Sequence, residues 1–419
     1  MSYVWIILAT VFVTVIVHNV VTGEKKIEHR VTHLYGVRDA RFLRSMGSLL
    51  GPPLVGGNQV RELINGDQIF PAMLEAIRGA RRTISFETFI YWTGETGREF
   101  AEALSERARA GVKVHVLLDW VGTFKLDKDA LTLMRDSGVD LEKYHPLRWY
   151  NLGRINNRTH RKLLVIDGTV GFTGGVGIAD KWNGAARNPD EWRDSHYRVE
   201  GPAVAHMQAA FMDNWMKSRG EVLHGDDYFP PLEPRGEHLA QMFKSSSTEG
   251  SESVRLMYLL TIASAEKSIL LASSYFVPDD LSVETLVAAA NRGVRIEIIV
   301  PGKEIDAKVT RRASRSRWGK LLEAGIRIHE FEPTMFHCKT AIVDGTWVSV
   351  GSTNFDNRSF RLNDEANLNI HDEEFAARQT EIFETDLGRA RRISLEEWQN
   401  RPLVEKLMEH AAGLLRSQL

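Results

Sequence analysis

THRKLLVIDGTVGFTGG (residues 159–175) and FHCKTAIVDGTWVSVGS (residues 336–352) decide the architecture. Both read His-x-Lys, four residues, Asp, six residues, then Gly-Gly or Gly-Ser. One such stretch would be weak evidence, whereas two in register mark a duplication. The register extends outward. AIRGARRTISFETFIYW (76–92) aligns with TIASAEKSILLASSYFV (261–277), ARAGVKVHVLLDW (108–120) with ANRGVRIEIIVPG (290–302), and LMRDSGVDLEKYHP (133–146) with LLEAGIRIHEFEP (321–333). Each unit reads helix, strand, helix, Gly, strand, helix, Gly, strand. Gly111 and Gly293 stand where a helix stops, ahead of Val/Ile-rich runs of strand length. Strands alternating with helices predict an α/β layer structure with a partly parallel sheet, present twice.

A length of 419 residues fits two domains. Net charge is −2, which excludes a globally basic nucleic-acid binder. The one cysteine, Cys338, excludes an internal disulfide and a cysteine-based zinc cluster. The expected organisation is an N-terminal transmembrane anchor at 1–22, a basic juxtamembrane connector at 23–58, a first domain at 59–225, a linker at 226–253, a second domain at 254–393 and a C-terminal amphipathic helix at 394–419. The linker reading rests on Pro, Ser, Gly and Glu content.

The anchor reading rests on VWIILATVFVTVIVHNVV (4–21), which lacks Lys, Arg, Asp and Glu. About 20 apolar residues cross a bilayer, although His18 and Asn19 weaken the last turn. Uncharged residues precede the run and Lys25, Lys26 and Arg30 follow it, so an uncleaved single-pass anchor is expected, with the body on the cytoplasmic side. Arg38, Arg41 and Arg44 in the connector either favour anionic lipid or are simply solvated. The basic run KVTRRASRSRWGK (308–320) carries the same two readings. Near the C-terminus, Leu403, Val404, Leu407, Met408, Ala411, Leu414 and Leu415 form one helical stripe, expected to dock on its own domain, with membrane contact the lesser alternative.

The chemistry lies in the paired motifs. His and Lys two apart on a strand share a face, so His160 with Lys162 and His337 with Lys339 each present an imidazole beside an ammonium. A neutral imidazole can attack phosphorus and hold it covalently. A protonated one can donate to the departing alkoxide. The lysines, with Gly175, Ser352 and Asn354, would hold phosphate oxygens, and the Gly-Gly and Gly-Ser ends would let backbone N–H groups approach the anion. This removes the need for a metal, and no H-E-x-x-H motif occurs. No cofactor is expected. Asp194 and Glu365 fall at similar distances after the two histidines, where a carboxylate would orient each ring. Asp167 and Asp344 suit tight Asp-Gly turns and also stand in the candidate catalytic set, with turn chemistry the favoured role.

These residues resemble the phospholipase D superfamily and, within it, the bacterial cardiolipin synthases. The resemblance runs from about residue 51 to the end and includes GNQVRELINGDQIFPAMLEAI (57–77), ETFIYW (87–92), SSYFVP (273–278) and HCKTAIVDGTWVSVGSTNFDNRSFRLNDEANL (337–368). The positions Asn354, Asp356, Arg358, Ser359, Asn363 and Glu365 point to the synthase branch. The resemblance implies two phospholipase D-like α/β/α sandwich domains about a pseudo-twofold axis, with both motifs in one site. It implies His160 as nucleophile, His337 as acid and base, and Asp194 and Glu365 as orienting groups. The expected reaction is phosphatidyl transfer between two phosphatidylglycerol molecules, giving cardiolipin and glycerol, in a protein of the bacterial inner membrane. Hydrolysis to phosphatidic acid and, further off, cleavage of nucleic acid or a non-catalytic scaffold are the alternatives; no nucleic-acid partner is expected. One departure stands out: where the family has Asn two residues after the Gly pair, the first motif has Gly177.

Overall fold

A computed structural model describes residues 2–21, 27, 29–146, 156–246 and 253–419. Helices α1 (Ser2–Val21) and α2 (Ala40–Leu50) precede the repeat. The first copy runs β1 (Val55–Ile64), α3 (Gly66–Gly79), β2 (Thr83–Thr88), α4 (Glu95–Arg109), β3 (Lys113–Asp119), α5 (Lys128–Asp136) and β4 (Asp140–Tyr144). It continues through β5 (Leu163–Ile166), β6 (Val170–Gly174), β7 (Ser195–Glu200) and α6 (Ala203–Arg219). The second copy opens with β8 (His238–Ser245), α7 (Ser253–Ala263), β9 (Ser268–Ser273), β10 (Phe276–Val277), α8 (Asp280–Asn291) and β11 (Arg295–Pro301). Then come α9 (Lys308–Ser316), α10 (Trp318–Glu323), β12 (Arg327–Phe331), β13 (Lys339–Val343), β14 (Trp347–Gly351) and β15 (Phe355–Asp356). Finally α11 (Asn357–Arg361), β16 (Glu365–His371), α12 (Glu373–Leu387), β17 (Ala390–Ile393), α13 (Leu395–Gln399) and α14 (Leu403–Gly413) complete the chain.

The strands other than β10 and β15 join one sheet, in which β1 and β8 pair antiparallel at the centre. Outward from that pair the order is β7-β6-β5-β2-β3-β4 on one side and β16-β14-β13-β9-β11-β12 on the other, where β17 adds one further antiparallel edge strand. The orders match strand for strand, which places a pseudo-twofold axis between β1 and β8. Within each copy the three strands that alternate with helices are parallel. Their neighbours in the motif hairpin run antiparallel. Side chains alternate across the sheet as a two-residue period requires. Leu163 and Val165 enter a central core shared by the halves, while Leu164 and Ile166 pack under the first half's own helices.

Four expectations change here. First, no helix among the described residues is long and apolar enough to cross a membrane. Helix α1 is apolar from Tyr3 to Val17, a rise of about 22 Å against a hydrocarbon core of about 30 Å. This overturns the single-pass anchor and, with it, the single-pass placement in the inner membrane. Second, the segment read as a linker contains β8, the counterpart of β1, bonded along its length to β16. Its alternating LAQMF pattern is followed by a Ser/Gly/Glu run that hid it; residues 247–252 lie outside the described residues. Third, part of the connector is ordered: Phe42 and Met46, one turn apart on α2, are buried, with Phe42 edge-on to Trp347. Arg38 pairs with Glu373 and Arg41 with Asp39. Fourth, the C-terminal stripe points away from the protein: Leu403, Val404, Leu407 and Leu414 are exposed, while Glu409 is buried.

Candidate active site

Each motif forms a hairpin whose near end carries the histidine and whose far end carries the aspartate. At the far end, Asp167 and Asp344 both have φ of 53°, and the following glycines 64° and 61°. Asn, Asp and Gly tolerate that left-handed backbone, and the N–H of Thr169 closes the first turn on Ile166 O at 2.9 Å. The Asp167 carboxylate accepts from the N–H groups of Arg81, Arg82 and Thr83, and Asp344 from those of Glu266, Lys267 and Ser268. These aspartates join the turn to the start of β2 and β9, at the opposite end of the strand from the imidazoles. Their carboxylates are thus engaged in building the turn, the role the sequence favoured for them.

At the near end the halves interlock. His160 N donates to Asp364 O at 2.8 Å, and Asp364 N to Arg158 O at 2.9 Å. The symmetry mates are His337 N to Arg193 O at 2.7 Å and Arg193 N to Met335 O at 2.9 Å. Each histidine thus lies beside the residue just ahead of the other half's carboxylate. His160 Nδ1 stands 3.1 Å from both Glu365 oxygens, and His337 Nδ1 2.7 Å from Asp194 Oδ2. The orienting pairs are crossed, not internal to each repeat. An ionised carboxylate only accepts, so Nδ1 carries the proton and Nε2 keeps its lone pair.

Burial pushes the His160 imidazole down to about 4, against the pull of Glu365 and with help from the Lys162 charge. Burial and the Lys339 ammonium likewise hold His337 below its ordinary value. Burial pushes the Lys162 ammonium down to about 7, against the attraction of Glu365 and with a smaller push from the Lys339 charge. Lys339 is depressed by burial as well. Burial would raise Asp194 and Glu365, but the imidazole each one holds and the nearby lysine keep both below the usual carboxylate range. The field of each lysine reaches the other half's histidine, so the two motifs act on one another across the seam.

Lys162 Nζ donates to His160 O at 2.7 Å, and Lys339 Nζ to His337 O at 2.6 Å and to Ser274 Oγ. An ammonium has three donors, so Lys162 retains two for an anion. The expected phosphate contacts divide. Gly175 N–H donates to Ser195 O, and Ser352 N–H to Ala366 O, so the sheet uses both backbone groups. Ser352 Oγ donates to Glu365 and accepts from Ala366 N, which makes it a support for the orienting carboxylate. Asn354 remains a candidate through its side-chain amide, whose Nδ2 can donate to an anion, whereas its backbone N–H is given to Ser359 Oγ. Asp356 caps α11 by accepting from Ser359 N at 2.7 Å, so β15 leads directly from Asn354 into that helix.

In the first motif a Cβ at Gly175 would overlap the Asp194 carboxylate. One at Gly177 would lie 2.7 Å from Ile90 Cβ, so the family asparagine has no room there. Trp182 supplies what Ser352 supplies in the other half: its Nε1 donates to Asp194 Oδ2 at 2.9 Å. Trp182 and Trp192 flank the His337 ring, and Phe89 flanks His160. The sequence reading missed Trp182, Ser274 and Phe89. Phe89 and Ser274 lie in ETFIYW and SSYFVP at the same register, a signal available in the aligned repeats. It also passed over Arg161 and Arg193, buried cations that pair with Asp213 of α6 and Asp386 of α12.

Comparison with known proteins agrees with this geometry. A family model described as cardiolipin synthase, PLD-like domain, matches residues 73–211 and again 258–387. Cardiolipin synthase 2 of Bacillus anthracis is 34% identical over 360 residues, covering 85% of this chain and 70% of that protein. A cardiolipin synthase of Geobacillus sp. (strain WCH70) is 36% identical over 366 residues, covering 87% and 73%. In fold, the crystal structure of phosphatidylserine synthase from Haemophilus influenzae Rd KW20 superposes with a TM-score of 0.69 at 16% identity, covering 90% of this chain and 99% of that one. With two interlocked histidine motifs in a duplicated α/β sheet, and relatives matching along most of its length, the chain belongs to the cardiolipin synthase family of phospholipase D-like proteins.

Proposed function

We propose that this protein is a phosphatidyltransferase that makes cardiolipin from two molecules of phosphatidylglycerol through a covalent phosphohistidine. The observation that carries the reading is the crossed arrangement of two imidazole–carboxylate pairs, each beside a lysine, at the seam where the two halves interlock. In the first step His160 Nε2 attacks the phosphorus of one phosphatidylglycerol. The bond from phosphorus to the headgroup glycerol breaks, and His337 gives that alkoxide a proton. Glycerol leaves. Positive charge spreads over the His160 ring as its nitrogen bonds to phosphorus, and Glu365 stands against Nδ1 to balance it. In the second step the headgroup hydroxyl of another phosphatidylglycerol attacks phosphorus and gives its proton to His337. The nitrogen–phosphorus bond breaks, which restores both histidines. Lys162, Lys339 and Asn354 hold the non-bridging oxygens throughout.

A phosphodiester anion beside His337 raises the proton affinity of that ring, which burial and the Lys339 charge hold down in the empty site, while His160 stays neutral to attack. Water as acceptor would give phosphatidic acid by the same intermediate. The test is phosphatidylglycerol labelled in its phosphate, trapped on the enzyme and located by peptide mapping. Label on the peptide containing His160 and cardiolipin as the main product are expected. Label on another residue, or phosphatidic acid without cardiolipin, would refute the assignment.

A further inference from the structure

We propose that the outward apolar face of α14, together with the loop that follows β3, is a docking surface for a phospholipid bilayer, seating the active-site mouth on the lipid that contains its substrate. This rests on the phosphatidyltransferase reading above and concerns contact with a surface, not a span across it. The starting observation is the way α14 is mounted. An amphipathic helix that serves only its own domain buries its leucines. Here Leu403, Leu407 and Leu414 are 75%, 71% and 76% exposed, while Glu409 is 3% exposed. Glu409 sits beneath the helix, 2.8 Å from Arg315 Nε and 2.6 Å from Arg401 Nε. Charge and the small residues Ala412 and Gly413 make the body-side contact, so the apolar face is left to something else.

Its position says what. Helix α14 lies on α9, which packs on β10, and β10 pairs with β15 directly after Asn354. Beyond α14 the chain returns to the catalytic lip. Leu419 O accepts from Arg358 N at 3.0 Å, and Gln418 Oε1 from Asn156 Nδ2 at 2.8 Å, four residues ahead of His160. The first half presents its own apolar rim. Asp119, where the loop after β3 begins, accepts from Thr159 N at 3.2 Å. Gly122 lies against the Phe89 backbone, and the Phe89 ring centre is 5.3 Å from that of His160. This loop exposes Trp120, Val121 and Phe124, the last at 87%.

Strands β3 and β11 are equivalent by the pseudo-twofold, so apolar side chains flank the mouth on both sides of the axis. On α9, Val309 is exposed between Lys308 and Arg312, which are one turn apart and form no ion pair among the described residues. Residues 308–320 contain no acid, and because Arg311, Arg315 and Arg317 pair with Glu330, Glu409 and Asp280, Lys308 and Arg312 carry the charge of this rim. A cationic rim beside apolar side chains matches an anionic headgroup layer over acyl chains. A protein seated across both patches would cover the mouth, whereas a bilayer seated there delivers substrate into it.

The experiment exploits the chain's one cysteine, Cys338, which is 2% exposed, so introduced cysteines take a dye selectively. Leu407→Cys and Phe124→Cys carry an environment-sensitive dye, and Ala110→Cys, at the opposite end of β3, is the control. With vesicles of phosphatidylglycerol and phosphatidylcholine, the dyes at 407 and 124 should shift to the blue and the dye at 110 should not. No shift at 407 and 124, or an equal shift at all three, overturns the proposal. A shift at 407 that follows protein concentration without vesicles also overturns it, by assigning the face to a second copy. In a separate arm, the double variant Phe124→Glu/Leu407→Glu should lose about tenfold in turnover on vesicles yet match the parent on dispersed short-chain phosphatidylglycerol. Equal loss on both substrates counts against docking. His160→Ala should lose turnover on both and keep the dye shifts, so failed chemistry and failed docking give different results.

Discussion

The two histidine stretches occupy equivalent points of one sheet, but their surroundings have diverged. Around His160, Glu365 offers both oxygens to Nδ1, is itself held by Ser352 and Asn363, and the Phe89 ring closes one side. Around His337, Asp194 offers one oxygen, is held by the Trp182 indole and by Ser195 N, and two tryptophans wall the ring. Between histidine and lysine the first stretch has Arg161, fully buried, and the second has Cys338. A bifurcated carboxylate suits a ring that must become positive as it bonds to phosphorus. A low-polarity wall of indoles suits a ring that must give its proton away. Duplication explains why the reacting groups match; what each half does follows from the supports.

That contrast breaks most sharply at the histidines. His160→Ala and His337→Ala should each lose cardiolipin formation by on the order of 10⁴-fold. A phosphatidyl ester of nitrophenol leaves without needing a proton, so it should restore the first half-reaction in His337→Ala but not in His160→Ala, read as nitrophenolate release. Equal rescue would make the halves interchangeable. Next in size are the orienting carboxylates, where Glu365→Gln and Asp194→Asn should each cost on the order of 10² to 10⁴. In a His337→Ala background assayed with the nitrophenyl ester, Asp194→Asn should then add nothing, while Glu365→Gln should still cost about 10²-fold. Carboxylates acting within their own repeat would give the reverse.

A smaller effect is expected in pH dependence. Protonation of His160 below about 4 removes the attacking lone pair, and loss of the Lys162 proton above about 7 removes positive charge from the phosphate site. A plot of kcat/KM against pH should therefore fall on both sides. Lys162→Arg should move the alkaline limb upward, since a guanidinium stays charged there. An alkaline limb that stays in place would assign it to another group. Smallest on the chemistry are the two residues that serve shape. Asp167→Ala leaves three N–H groups without their acceptor, and Gly177→Asn drives a side chain into Ile90; each should cost about 1–3 kcal/mol, read as a drop of several degrees in Tm. Turnover per folded Asp167→Ala molecule should stay within about twofold. A large loss there would return Asp167 to the chemistry.

Much of this was legible along the chain. The Asp-Gly turns declare themselves because a left-handed backbone admits few residue types, and the parallel strands because short apolar runs alternate with helices. The strand β8 was obscured by its Ser-rich neighbour, and the reversed mounting of α14 could not be read from periodicity. A hydrophobic stripe has the same pattern whichever way it faces, and only the buried partner of Glu409 reveals the direction. In the same way, the backbone amides of Gly175 and Ser352 looked available to an anion until their partners in β7 and β16 were known.

By itself, then, the amino-acid sequence determined the duplication, the reactive side chains and the turns, all of which depend on residues close together in the chain. The tertiary structure alone decided that His160 answers to Glu365 and His337 to Asp194, across separations of 205 and 143 residues. Two equivalent carboxylates at equivalent spacing leave both pairings open. The choice is made where the strand ends of one half bond to those of the other, because backbone hydrogen bonds between the halves bring each imidazole beside the carboxylate it did not inherit.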